Sequence, residues 1–167
     1  AGRGEVAFAQ AAAAMIAVIG GWGFYLSAAS TRQTSIPRQY FDLTLLFTAA
    51  ISAGVILLAV LAPTGLLTVD LALPIGLAAT MTAGTTYCQR IAQARVSDLE
   101  YLVIGATPVL VSLTIVLPAV LLGASPQAVV NVWALGTGLG LLIAFIRVRR
   151  SVPSERVKPY GLLAYVR

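Results

Sequence analysis

The sequence predicts an all-α integral membrane protein of about five transmembrane helices. Three observations predict it. Hydrophobic residues make up 59% of the 167 and charged residues only 10%, with a mean hydropathy of +0.91. An average soluble domain carries about 25% charged residues, so a water-soluble fold of this size would lack the charge to cover its surface. Second, the apolar residues gather into five runs, each near the ~20 residues that carry a helix across a bilayer. Third, the cations alternate between the connections. The high apolar content also excludes disorder, whose signature is low hydrophobicity.

The first run, 6–30, holds no charge and is rich in Ala and Gly. The second, 41–61, follows Arg38 and stops before Pro63-Thr64-Gly65. Asp42 sits in its first turn, where a helix N-terminus favours a carboxylate. The third, 71–87, is the weakest, being short and carrying Thr80, Thr82, Thr85 and Thr86. Threonine hydroxyls can bond back to the helix's own carbonyls, so lipid tolerates them. The fourth, 101–122, is interrupted by Pro108 and Pro118, each of which removes a backbone donor and can kink the helix. The fifth, 128–146, ends at Arg147-Val148-Arg149-Arg150.

The connection 31–40 carries Arg32 and Arg38, and 89–100 carries Arg90 and Arg95. The tail carries Arg147, Arg149, Arg150, Arg156, Lys158 and Arg167. Connections 63–70 and 123–127 carry no cation. Ten of the eleven cations therefore fall on one side, with Arg3 on the other. Basic residues collect on the cytoplasmic side of membrane proteins. This orients the chain with its N-terminus outside, residues 1–147 as a transmembrane bundle, and 148–167 as a basic cytoplasmic linker leading into a further helix. An outside N-terminus without a signal peptide, and an apolar pattern starting at Tyr160, imply that both ends continue in a longer chain.

The net charge of +5 is absorbed by that asymmetry. No basic stripe interleaves with exposed aromatics, so nucleic acid is not an expected partner. The chain has no histidine and one cysteine, Cys88, which excludes a histidine base, an internal disulfide and a four-ligand zinc site. No motif for covalent chemistry is present, so the chain is not expected to be an enzyme, and nothing in it calls for a cofactor or metal. Polar residues inside a membrane are the usual pointers to function. Here they are Gln10, Asn131 and the threonine face of the third run, with Gln89 and Arg90 at its inner end. The small residues of the first run, and the Gly136-x-x-x-Gly140 pair of the fifth, read as packing surfaces within the bundle.

The opening Ala1-Gly2-Arg3-Gly4-Glu5-Val6-Ala7 resembles the turn after the first helix of the polysaccharide and O-antigen flippases, in the multidrug/oligosaccharidyl-lipid/polysaccharide exporter superfamily. The closing Tyr160-Gly161-Leu162-Leu163-Ala164-Tyr165 resembles the start of that family's seventh helix, and five spans lie between. The resemblance implies a partial first bundle of a two-bundle transporter, about helices two to six, completed by missing helices of the same full-length chain. It implies movement of a polyprenyl-pyrophosphate-linked oligosaccharide across the cytoplasmic (inner) membrane by alternating access. It also implies Arg3 and Arg32 as substrate contacts, because a buried pyrophosphate needs cations or amide donors. Their plainer readings are a capped turn with Glu5 for Arg3 and a membrane-side anchor for Arg32.

Two other readings compete. A small structural or scaffolding subunit of a membrane complex would explain the scarcity of polar residues inside the spans. A membrane enzyme would have to rely on Asp42, Asp70, Asp98 and Glu100 alone.

Overall fold

The structure, a computed structural model, describes residues 2–21, 38–61 and 68–151. Among these residues the chain forms five helices and no strands: α1 (Gly2–Gly20), α2 (Arg38–Leu61), α3 (Val69–Arg95), α4 (Asp98–Leu121) and α5 (Pro126–Ser151). α2, α4 and α5 are long and apolar enough to cross a membrane, and the described part of α1 is a shorter apolar helix. This is a helical membrane protein, as its composition predicts. Residues 22–30 of the first predicted span, Arg32, and 152–167 with the Tyr160–Tyr165 stretch lie outside the described residues.

The helices differ from the predicted spans mainly in length. α3 covers 27 residues and runs on to Arg95, so the predicted 89–100 connection shrinks to Val96 and Ser97. Ser97 caps α4, its hydroxyl accepting from the Glu100 amide at 3.1 Å, which offsets one of the unpaired donors at a helix start. Asp98 and Glu100 stand in the first turn, on the favourable end of the helix dipole. α5 continues past 146 to Ser151. Arginine stems let a helix extend beyond the hydrocarbon while their heads reach water. Gly123, with φ +76°, turns the chain out of α4; Pro126 then opens α5, where a missing N–H costs nothing.

Successive helices run antiparallel. α3 occupies the centre, packed against α1, α2, α4 and α5. At one end, the basic one, Tyr87, Cys88, Ile91 and Ala92 of α3 pack with Ile104 of α4 and Leu141, Ala144 and Val148 of α5. Phe41 of α2 joins them, stacked on Phe145 and edge-on to Tyr87. Towards the other end, Ala9, Ala13 and Ile16 of α1 meet Leu71, Ile75, Ala78 and Ala79 of α3 and Val130 and Ala134 of α5. Large apolar side chains point outward instead, among them Leu57 and Leu58 of α2, Leu110 and Leu117 of α4, and Leu135 and Leu142 of α5. Small residues inside and large ones outside is the distribution expected where lipid is as apolar as leucine and packing alone draws helices together.

The α4–α5 seam shows this most closely. A Cβ on Gly136 would lie 2.7 Å from Ser112 Cα, and one on Gly140 would collide with the backbone of Pro108. The Gly136-x-x-x-Gly140 pair therefore serves packing inside this chain. α2 carries a stripe absent from the sequence reading, Thr44, Thr48 and Ser52, all buried. The Thr48 hydroxyl donates to Thr44 O at 2.7 Å. Ser52 Oγ lies 2.8 Å from Thr48 O and 3.1 Å from Gly76 O, tying α2 to α3.

Candidate functional site

α1 and α4 do not pack on each other among the described residues. Between them runs a cleft of about 370 Å³, floored by α3 and α5. That volume falls within the range of small-ligand pockets, about 300–1,000 Å³. α1 contributes Val6 and Gln10; α3 contributes Thr82, Thr85, Thr86 and Gln89. α4 supplies Gly105, Pro108, Val109, Ser112, Leu113 and Val116, and α5 supplies Val129, Trp133 and Thr137. One wall is thus hydroxyl and amide, the other largely aliphatic.

The polar wall follows from helical spacing. Thr82, Thr85, Thr86 and Gln89 recur at three- and four-residue intervals, which puts them on one face of α3. Gly105 leaves room for the Gln89 amide, which a Cβ there would strike. The hydroxyls divide into two kinds. Thr85, Thr86 and Thr137 each donate to a carbonyl one turn back, at 2.9, 3.0 and 2.9 Å. They keep only lone pairs for the cleft. The side chains of Thr82, Gln89, Ser112 and Trp133 make no hydrogen bond among the described residues, although Ser112 is only 7% exposed. Among the described residues no charged side chain lines the cleft.

The basic end is charged and cross-linked. Arg147 reaches Glu100 through both Nε and NH2, at 2.6 and 2.8 Å, joining α5 to the start of α4. The Arg90 guanidinium lies 5.6 Å from the centroid of the Tyr101 ring and donates to Gln93 at 3.1 Å. Interfacial pairs of this kind orient helix ends more than they stabilise them, since exposed charges are well screened.

The structure brings Gln10, Thr82, Thr85, Thr86 and Gln89 into one cleft, and leaves Thr80 out of it. Asn131 lies elsewhere, exposed and bonded to Gln127 at 3.2 Å. Arg3 belongs to the first turn of α1, three residues before Val6 and seven before Gln10; its side chain lies outside the described set, as does the whole of Arg32. The sequence reading missed Ser112, Trp133 and Thr137. Ser112 is four residues from Pro108, and Thr137 follows Gly136; in an isolated sequence both read as ordinary helix packing. No cluster of His, Cys, Asp or Glu suited to a metal exists among the described residues. Set against protein-family models, curated proteins and solved structures, the chain matches none of them.

Proposed function

We propose that this chain forms part of one bundle of a flippase-type transporter in the bacterial inner membrane, moving a polyprenyl-pyrophosphate-linked oligosaccharide. The observation that carries the reading is the cleft. A helix bundle whose described interior holds no charge nevertheless keeps a row of hydroxyl and amide groups free of full internal pairing. Polar groups held in a bilayer without partners are costly and mark substrate paths. The α4 prolines support the same reading, because each removes a backbone hydrogen bond inside a continuous helix and leaves a point where it can bend. The pyrophosphate contacts are assigned to Arg3 and Arg32 by the family resemblance, and no cation among the described side chains lines the cleft to compete with them.

The test is translocation of a fluorescent polyprenyl-pyrophosphate disaccharide by the full native chain in proteoliposomes. The expected result is transport above protein-free vesicles, lowered about tenfold by Arg3→Ala or Arg32→Ala, as befits loss of a charge-assisted hydrogen bond. Transport equal to that of empty vesicles would favour the structural-subunit reading. That alternative draws its support from the uncharged interior.

A further inference from the structure

We infer that the α1–α4 cleft is a binding site for an uncharged lipid with a hydroxyl-bearing headgroup, of the monoacylglycerol type. The inference rests on the same cleft as the transport reading, and concerns what binds there whether or not the chain transports.

The donor and acceptor inventory selects the headgroup. Thr85, Thr86 and Thr137 have committed their protons to backbone carbonyls, so each can only accept from a ligand. A partner for these three must carry O–H or N–H groups. Thr82, Ser112 and Gln89 retain donors for an ester or ether oxygen. Ser112 is 7% exposed, lines the cleft and makes no hydrogen bond among the described residues, its hydroxyl reachable only from the cleft. In a membrane interior, that leaves a polar group waiting for a ligand. Headgroup charge is selected against just as clearly. A phosphate is an acceptor-only anion, and among the described side chains no cation lines the cleft to pair with it; an unpaired ion in low dielectric is strongly disfavoured.

The other wall selects the tail. Val109 and Leu113 line the cleft and are also 60% and 55% exposed. The aliphatic wall is therefore continuous with the outer face of α4, where Leu110 and Leu117 lie. A chain leaving the cleft along Val109, Leu113 and Val116 passes into hydrocarbon without crossing polar surface. A purely polar solute would leave this wall unmatched, and a pure hydrocarbon would leave the threonine wall unmatched.

The experiment uses the full native chain in phosphatidylcholine vesicles with a diazirine-bearing 1-monoacylglycerol. Crosslinks are mapped by mass spectrometry. They are expected at Val109, Leu113, Val116 and Trp133, competed by unlabelled monoacylglycerol and not by lysophosphatidate of the same chain. Thr82→Val with Ser112→Ala should lower cleft labelling about tenfold, the worth of two neutral hydrogen bonds. Labelling equal at the lipid-facing Leu57 and Leu58 of α2, or equal competition by lysophosphatidate, would overturn the site. If the double variant unfolds by circular dichroism, the competition result on the unaltered chain decides between the two.

Discussion

α3 and α4 are neighbours joined by two residues, yet they meet opposite environments. α3 carries threonines, Gln89 and Arg90, and is not among the helices apolar enough to span by composition. It is nevertheless the central helix, with Ile75, Ala78, Ala79, Tyr87 and Ile91 all but fully covered. α4 is aliphatic along its length, and its buried residues are only Ile104 and Ser112. In water the apolar helix would be inside. Here burial follows side-chain size and polarity in reverse, because the bilayer takes the large aliphatic residues and protein takes the small and polar ones. The cleft forms where these two surfaces face each other.

Five substitutions, in three tests, probe that contrast. The largest effect is expected at the glycine seam that holds α4 to the bundle. Gly140→Val drives a side chain into Pro108 and should destabilise by ~2–3 kcal/mol, read by unfolding in mixed micelles. Gly138→Val on the same helix, with only Met81 Cγ nearby at 3.8 Å, should change stability little. Equal losses would show that helix propensity, not close approach, governs the seam.

Next comes the inside–outside rule itself. Ala79→Leu in α3 overfills a site with no exposure and should cost ~1–3 kcal/mol. Ala106→Leu on the exposed side of α4 should stay within about 0.5 kcal/mol, as surface substitutions do. A reversed order would mean that α4, not α3, is covered in the native membrane.

The smallest of the three expected losses should come from Ser52→Ala. It removes the α2–α3 link to the Gly76 carbonyl and should cost ~0.6 kcal/mol, the usual worth of an interhelical bond in lipid, read by unfolding in mixed micelles.

Much of the architecture was legible because apolar runs and cation alternation report directly on the bilayer. The intrachain use of Gly136 and Gly140 was legible too, since small residues four apart mark one helix face. The central position of α3 was not. Its threonines read as weakness in a span, because burial by other helices leaves no local mark on the sequence. The cleft was half legible: Gln10 and the threonines stand out as polar in apolar runs. Ser112 and Trp133 do not, since their importance arises only when α4 and α5 approach. The α2 stripe of Thr44, Thr48 and Ser52 had a visible four-residue spacing, masked by the strongly aliphatic residues between.

The central, threonine-bearing α3 also bears on how the protein is made. Segments partition into lipid from the insertion machinery according to their own apolarity, and α3 falls short by that measure. Two of the helices that cover it, α4 and α5, are synthesised after it. The nascent chain must therefore keep α3 beside α2, whose Ser52 meets it at Gly76, or hold it at the membrane surface. The polar face of α3 gains its α4 and α5 walls only when that hairpin arrives, which makes completion of α5 the step that commits the middle of the chain to the membrane.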